Sequence, residues 1–252
     1  MDLGLQGKVA LVTGAGSPIG FGKAIALTLA KEGCDIVVND VDLAGANKTA
    51  EEINALGRKA IPVKADISNK AEVNEMVKTA YDQFGKIDIL VNNAGIGIAG
   101  IPFLEIKDED WDRMMNVNFR GVVNVTRAVL PKMIEQKSGK IVNIASNAGK
   151  TGVPTASMYA ATKAAVVSLT KSLSIEMAPF GINVNGIAPG TSRTNLETQA
   201  TAEFVKMASH LPPLGRLTEP QDIANMTAFL ASDAASDIAG QTYSVDGGHF
   251  LY

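Results

Sequence analysis

The chain has 252 residues and a formal net charge of −3, and these values exclude several classes of protein. A slightly acidic chain offers no basic surface for nucleic acid or for an anionic membrane. No apolar run approaches the ~18 residues that span a bilayer, and the N-terminus lacks the basic region of a signal peptide. We therefore expect one cytoplasmic domain over residues 1–252, with neither nucleic acid nor membrane as partner.

Cysteine and histidine are too scarce for several kinds of site. The single cysteine, Cys34, excludes an intrachain disulfide and a cysteine-based zinc site. The only histidines, His210 and His249, lack an acidic partner at a recognisable spacing, which argues against a histidine-based hydrolase. We predict no metal site.

The first predicted strand, at 8–13, runs into a glycine-rich turn at 14–22 and then into a helix that stops before Gly33. This sequence of elements can hold a pyrophosphate, because glycines let the backbone approach and a helix N-terminus offers free N–H groups. A glycine-rich turn alone can also be a simple tight connection. The residues of the turn that we expect to contact a dinucleotide are Gly14, Ser17, Ile19, Gly20 and Phe21.

Asp40 follows the second predicted strand, at 35–39, and lies eighteen residues after Gly22. In a dinucleotide-binding fold, an acid at this distance accepts hydrogen bonds from the adenosine ribose. Its charge opposes a 2′-phosphate by about 1–4 kcal/mol, which favours NAD over NADP. The alternative is that Asp40 caps the helix that begins near Leu43.

A third strand is predicted at 59–65, and Pro62 assigns it to a sheet edge because proline cannot donate a ladder hydrogen bond. Asp66 and Ile67 follow at its C-terminal end, where we expect contacts with an adenine. Asn69 and Glu72 resemble a capping box at the start of the next helix.

The fourth strand, at 87–91, ends in Asn-Asn-Ala-Gly at 92–95. Small residues let the backbone pass close to a ligand, so we expect Asn93, Ala94 and Gly95 to contact the cofactor. Asn118 is polar within an apolar helical stretch. It is either a buried amide bonded to a main-chain carbonyl or an anchor for a water, and the two roles are compatible.

Ser146 ends the fifth strand, at 139–146, on the side where open parallel sheets bind ligands. Tyr159 and Lys163 stand four residues apart in a predicted helix and so share one face. A cation favours the phenolate, and lowering a tyrosine pKa from ~10 to about 7 requires roughly 4 kcal/mol. The pair is a candidate acid/base device, although this spacing also occurs by chance.

The remaining elements complete an α/β pattern. A sixth strand at 181–188 is closed by Pro189 and Gly190, a cap with an early proline at 218–221 opens the last helix, and a seventh strand lies at 241–245. We predict a single-domain doubly wound Rossmann fold with a seven-stranded parallel sheet of order 3-2-1-4-5-6-7 and helices on both faces. The segment 191–211 is a predicted substrate lid, and we expect Lys150 and Thr151 to line the pocket with it.

Taken together, the motifs resemble the short-chain dehydrogenase/reductase family over essentially the full chain. They are Thr13-Gly14, Asn-Asn-Ala-Gly at 92–95, Asn118, Ser146, Tyr-x-x-x-Lys at 159–163, Pro189-Gly190 with Thr194, and Val-Asp-Gly-Gly at 245–248. One motif departs from the family pattern, because Pro18 occupies the sixth position of Thr-Gly-x-x-x-Gly-x-Gly. If Gly20 and Gly22 are the final two glycines, the register is restored and the loop is two residues longer. We expect this longer loop still to wrap the pyrophosphate.

The resemblance implies hydride transfer between NAD and a secondary alcohol or ketone. It implies that Tyr159 is the general acid/base and that Lys163 lowers its pKa and holds the nicotinamide ribose. Ser146 would orient the substrate oxygen, and Asn118 would fix a water of the proton relay. The resemblance also implies cofactor contacts at Pro189, Gly190 and Thr194 and a homotetramer.

Two other functions stay open at this point. The first is a 3-oxoacyl thioester reductase or 3-hydroxyacyl dehydrogenase acting on acyl carrier protein or CoA esters, which usually prefers NADPH; Asp40 and the lack of a basic residue at 15–17 argue against NADPH. The second is a non-catalytic subunit that binds a partner, against which the presence of all four catalytic residues argues. The sequence does not distinguish a sugar, a steroid, a hydroxy acid or an acyl thioester as substrate.

Overall fold

The apolar runs of the sequence form the strands of one parallel sheet in the computed structural model, which describes residues 2–192 and 212–250. The order is β3-β2-β1-β4-β5-β6-β7, as predicted, and the proline-containing strand β3 lies at an edge. The strands are β1 (Val9–Thr13), β2 (Asp35–Asp40), β3 (Ala60–Lys64), β4 (Ile89–Asn92), β5 (Gly139–Ile144), β6 (Ile182–Pro189) and β7 (Thr242–Val245).

Helices cover both faces of this sheet. They are α1 (Phe21–Lys31), α2 (Leu43–Ala55), α3 (Lys70–Phe84), α4 (Asp108–Met115), α5 (Val122–Gln136), α6 (Ala148–Thr151), α7 (Ser157–Met177) and α8 (Pro220–Leu230). A π-helix, Asn116–Gly121, joins α4 to α5. Among the described residues, no helix has the length and apolar character needed to cross a bilayer.

The two larger apolar cores follow from the alternation of side chains along the central strands. In β1, Val12 packs with Ile25 of α1 in one core, whereas Leu11 faces the opposite core. The second core contains Met76 of α3 and Val129 of α5. Because strand residues alternate between faces, a continuously apolar strand must be covered on both sides, and this produces the three-layer fold.

The parallel register brings the C-terminal ends of the strands to one edge of the sheet. Thr13 pairs with Asn39, and Asn92 pairs with Asn143. Asparagine side chains tie these ends together, since Asn92 Nδ2 donates to Asn143 Oδ1 at 2.9 Å and Asn93 Nδ2 donates to Thr13 O at 2.8 Å. The sequence therefore places its candidate site residues along a single rigid edge.

Two helix starts differ in detail from the predicted caps. Asn69 is the N-cap of α3, but Glu72 bonds the N–H of Asp66 and Nδ2 of Asn69 instead of closing a reciprocal box. The last helix has Pro220 in its first turn, as predicted, and its capping box joins Glu219 to Asp222.

Candidate active site

A cleft of about 960 Å³ opens at the C-terminal ends of β1 to β4. Ten of the predicted cofactor contacts line it: Gly14, Ser17, Gly20, Phe21, Asp40, Asp66, Ile67, Asn93, Ala94 and Gly95. Residues that the sequence did not single out complete its walls: Asn39, Val41, Ala65, Ser68 and Ile96, with Glu109, Asp112, Arg113, Asn116 and Val117 on the side of α4 and the π-helix. The α4 contribution was missed because nothing in a short polar helix marks the face that meets a ligand.

Glycines bring the backbone of the loop and of α1 close to the cleft. Helix α1 begins at Phe21, with Gly20 as N-cap, so Gly20 and Gly22 occupy the positions of the final two glycines. A Cβ on Gly22 would lie 2.2 Å from the carbonyl oxygen of Gly14, and one on Gly14 would lie 2.7 Å from Cα of Ala94. Gly20 has no side chain to cap the helix, so the N–H groups of the first turn suit an anion. A dinucleotide pyrophosphate fits this cradle.

The extra length of the loop projects away from the cleft. Pro18 and Ile19 are exposed, and Ile19 keeps 44% of its accessible surface. Ile19 is absent from the residues that line the cleft, unlike Ser17, Gly20 and Phe21. The side chain of Ile19 therefore does not line the cleft, and its expected contact with the cofactor stays a prediction.

Asp40 faces the cleft from the end of β2 and bonds two backbone groups. Its Oδ2 accepts from the N–H of Gly16 at 2.8 Å, and its Oδ1 accepts from the N–H of Asp42 at 3.0 Å. The N-cap of α2 is Asp42, which accepts from the N–H of Ala44 at 3.0 Å. The alternative that Asp40 caps this helix is therefore wrong.

Asp66, Ile67 and Ser68 form the far end of the cleft. The Oδ1 atom of Asp66 accepts from both the backbone N–H and the hydroxyl of Ser68, at 2.8 and 2.7 Å. These bonds fix the turn after β3, so its polar groups keep a constant position beside the predicted adenine site.

Lys163 is buried in the next part of the site, with 5% of its surface exposed. Its ammonium donates to the carbonyl of Ile144 at 2.9 Å and lies 6.0 Å from the centre of the Tyr159 ring. A Cβ on Gly95 would lie 3.3 Å from this Nζ, so the predicted cofactor contact at Gly95 adjoins the amine. Burial lowers the pKa of Lys163 to about 8, because a buried amine loses the hydration of its charged form.

Asn118 is fully buried in the π-helix beside Lys163. Its Oδ1 accepts from the N–H of Ile96, and its Nδ2 donates to the carbonyl of Ile96, both at 2.8 Å. The amide is thus bonded to main chain, as one of the two interpretations of the sequence expected. The side chain holds the segment after β4 against the π-helix, next to the Tyr159–Lys163 pair.

Thr162 connects this amide to α7, and the sequence motifs did not single it out. Its hydroxyl accepts from Nδ2 of Asn118 at 3.1 Å and donates to the carbonyl of Tyr159 at 2.7 Å. Its place directly before Lys163 and three residues after Tyr159 was a usable signal, since residues three apart adjoin on a helix.

Ser146 lies just after β5, on the same edge, and its Oγ accepts from the N–H of Ala148 at 3.2 Å. The adjacent Asn147 bonds two other loops, because its N–H donates to Pro189 O at 3.1 Å and its Nδ2 donates to Asp246 Oδ2 at 2.7 Å. The carboxylate of Asp246 also accepts from the N–H groups of Gly248 and Phe250, at 3.0 and 2.9 Å. Asn147 and Asp246 together therefore brace the loops after β5 and β7 against the end of β6.

The other predicted residues have mixed outcomes. The N–H of Gly190 donates to Val245 O at 3.1 Å, which places Pro189 and Gly190 at the end of β6 beside this brace. The amine of Lys150 donates to Ser244 Oγ of β7 at 3.0 Å, and its expected place in the substrate pocket stays a prediction. Thr194 and the predicted lid lie outside the described residues, except for Thr191 and Ser192.

Within the described ranges no group of three acidic, histidine or cysteine side chains could hold a metal ion.

Comparison with known proteins gives matches over nearly the whole chain. A family profile described as enoyl-(acyl carrier protein) reductase matches residues 14–249. The chain is 42% identical to the (2S)-[(R)-hydroxy(phenyl)methyl]succinyl-CoA dehydrogenase subunit BbsD of Thauera aromatica, over 99% of both sequences. It is 39% identical to the 3-oxoacyl-[acyl-carrier-protein] reductase FabG of Thermotoga maritima, over 97% of this chain and 98% of the relative.

Among solved structures, the crystal structure of 3-ketoacyl-(acyl-carrier-protein) reductase from Brucella melitensis complexed with NADH is similar to this chain with a TM-score of 0.93. The two sequences are 43% identical, and the match covers 98% of this chain and 100% of the other.

Proposed function

Because the chain belongs to the short-chain dehydrogenase/reductase family, we propose that it transfers a hydride between NAD(H) and a secondary alcohol or ketone. One observation carries this proposal: Asn118 is linked to Tyr159 through the hydroxyl of Thr162, and Lys163 Nζ lies 6.0 Å from the centre of the Tyr159 ring. Ser146 lies on the same edge of the sheet, just after β5. The dinucleotide-sized cleft begins beside these residues, at Gly95.

The roles of the residues follow from their chemistry. When bound, the nicotinamide supplies or accepts the hydride. Tyr159 would give a proton to the carbonyl oxygen of a ketone or take one from the hydroxyl of an alcohol, since the oxygen must change protonation as the carbon changes oxidation state. Lys163, with a pKa of about 8, is mostly charged at neutral pH and would stabilise the phenolate of Tyr159. Ser146 would hold the reacting oxygen.

Asp40 supports NAD over NADP in this proposal. Its carboxylate lies at the end of β2 on the cleft wall, where it would accept from ribose hydroxyls and repel a 2′-phosphate. The Brucella relative was crystallised in complex with NADH. We expect NAD to be preferred by about tenfold or more, which corresponds to about 1.4 kcal/mol.

A 3-oxoacyl thioester is the second candidate substrate, because two relatives are named as 3-oxoacyl or 3-ketoacyl carrier-protein reductases and a third as a dehydrogenase of a hydroxylated acyl-CoA. Two segments that adjoin site residues are compatible with an acyl chain. Segments 96–104 and 151–159 carry no charged side chain, and they meet where the N–H of Ile101 donates to Thr155 O at 3.2 Å. Phe103, Leu104 and Val153 are exposed there, and an apolar border suits a hydrocarbon chain better than a sugar.

The expected cytoplasmic location and homotetramer are part of the same proposal. Helices α4, α5 and α7 and the edge strand β7 would form the contacts between subunits. Ile175 of α7, an apolar side chain with 78% of its surface exposed, supports this assignment. Sedimentation as a monomer at micromolar concentration would contradict it.

The decisive experiment is a panel of secondary alcohols, ketones and 3-oxoacyl esters, tested with NAD(H) and NADP(H) at the nicotinamide absorbance. Tyr159→Phe should lower kcat by about 10²–10⁴-fold, the range typical of a general acid/base, while NADH affinity measured by fluorescence changes little. Full activity of Tyr159→Phe would overturn the catalytic assignment. A wild-type protein that binds neither coenzyme would instead favour the non-catalytic subunit.

A further inference from the structure

We propose that Asp40 positions the lengthened glycine-rich loop as well as meeting the ribose, so that one carboxylate couples adenosine binding to pyrophosphate binding. This inference rests on the proposed function, because it requires a dinucleotide in the cleft. It goes beyond the choice between NAD and NADP, which concerns only the charge of Asp40.

The contact that suggests this role joins two loops of the fold. Oδ2 of Asp40 accepts from the N–H of Gly16 at 2.8 Å, while Oδ1 is held by the N–H of Asp42 at 3.0 Å. Gly16 is buried, and a Cβ at this position would lie 2.9 Å from both Cγ of Asp40 and the nitrogen of Ala46. Only a glycine allows the loop to approach the carboxylate this closely.

The residues around Gly16 fix the same part of the loop to β2 and α2. The N–H of Ala15 donates to Asn39 O at 2.9 Å, and the hydroxyl of Thr49 donates to Ala15 O at 2.9 Å. A Cβ on Gly45 would lie 2.5 Å from the carbonyl oxygen of Gly16, so α2 packs directly on the loop. We call the contacts of Ala15 and Gly16 with Asp40 and Thr49 the loop anchor.

The loop anchor precedes the exposed part of the loop and limits its freedom. Pro18 and Ile19 are exposed, and the next backbone bond is the one from the N–H of Gly20 to Ser17 O, at 3.2 Å. A longer loop has more conformations to lose when it closes around a ligand. Fixing Ala15 and Gly16 reduces that loss and sets where Ser17 and Gly20 face the cleft.

The two roles of Asp40 do not compete. An ionised carboxylate has about four positions for accepting hydrogen bonds, and two are used by Gly16 and Asp42. The remaining positions can accept from ribose hydroxyls. Loss of the carboxylate should therefore weaken binding at the ribose and, separately, at the pyrophosphate.

The test compares ADP with adenosine, since only ADP reaches the glycine-rich loop with a pyrophosphate. Affinities are measured by competition with NADH fluorescence for the wild type, Asp40→Ala and Thr49→Val. Thr49→Val removes the bond to Ala15 O without touching the ribose acceptor. Thr227→Val is the matched control, because Thr227 is equally buried and bonds only within α8, to Ile223 O at 2.8 Å.

In Asp40→Ala, we expect the affinity for ADP to fall about threefold to tenfold further than the affinity for adenosine, the usual effect of one hydrogen bond. In Thr49→Val, ADP affinity should fall by a similar factor while adenosine affinity stays within about twofold. Equal losses for both ligands in Asp40→Ala, or unchanged ADP affinity in Thr49→Val, would overturn the inference. Failure of the wild type to bind ADP or NADH would instead overturn the proposed function.

Discussion

On the side of the molecule formed by β1 to β3, glycines bring the backbone to the cleft, whereas on the side of β5 and α7 the site consists of buried side chains. Gly14 and Gly22 have backbone as their nearest neighbours. Lys163, Asn118 and Thr162 are each buried. Asn118 Nδ2 donates to the hydroxyl of Thr162, and Lys163 Nζ donates to the carbonyl of Ile144.

The two regions have opposite effects on the stability of the fold. A close-packed backbone stabilises the fold and rejects any added side-chain atom. A buried ammonium opposes folding, because its charged form loses hydration. Removing the buried charge of Lys163 should therefore raise stability while lowering the rate, whereas adding an atom at Gly22 should lower stability and NADH affinity together. The predictions run from the large effect at Lys163 to the small one at Thr162.

Lys163→Met should lower kcat by about 10²–10³-fold, because Tyr159 loses its stabilising cation. The variant should nevertheless be more stable than the wild type by about 1–2 kcal/mol at pH 7. Burial lowers the pKa of Lys163 from 10.5 to about 8, and at about 1.4 kcal/mol per pKa unit this opposes folding by about 3 kcal/mol, partly offset by the bond to Ile144 O.

The pH dependence checks the origin of that stability difference. Between pH 8 and 10.5 the unfolded chain binds more protons than the folded chain, so the wild type gains stability as the pH rises. The advantage of Lys163→Met in urea denaturation should shrink over this range. A constant difference would show that burial of the charge is not its cause.

Gly22→Ala should show the reverse pattern, with a loss of stability and of NADH affinity. A Cβ 2.2 Å from Gly14 O forces α1 away from β1, which should destabilise the fold by about 2–3 kcal/mol. We expect NADH to bind at least about tenfold more weakly, since the N-terminus of α1 moves.

Gly57→Ala provides the comparison for this change. Gly57 has φ +81° and nothing within 4 Å of an added Cβ, so only backbone strain of about 1–2 kcal/mol is expected there, with normal NADH affinity. Wild-type stability and affinity for Gly22→Ala would show that the close approach is not required.

Thr162→Val should have the smallest effect, a decrease in kcat of about fivefold to tenfold with little change in KM, because Asn118 and the Tyr159 carbonyl lose a shared partner. Thr162→Ser keeps the hydroxyl and should restore most of the rate. Equal rates for the two variants would exclude a positioning role for the hydroxyl.

The fold was predictable where the signals are local. The apolar run of β1 and the proline of β3 each depend on neighbours in the chain, and both were predicted. Helix α1 begins at Phe21, inside the turn that was predicted at 14–22. The partners of site residues depend instead on packing between distant segments. Asn147 and Asp246 are 99 residues apart, and the motif around Asp246 gave no indication of the contact. The direction of Lys150 toward β7 has the same explanation.

The π-helix Asn116–Gly121 between α4 and α5 controls how those two helices are oriented relative to each other. Each residue advances an α-helix by about 100°, so one extra residue in a turn shifts the phase of everything before it. Glu109, Asp112, Arg113 and Asn116 can thereby face the cleft while Val125 and Val129 of α5 face the core. Deleting Phe119 or Arg120 from this π-helix should make a continuous regular helix and rotate the cleft wall by about 100°, while every residue that lines the cleft is kept.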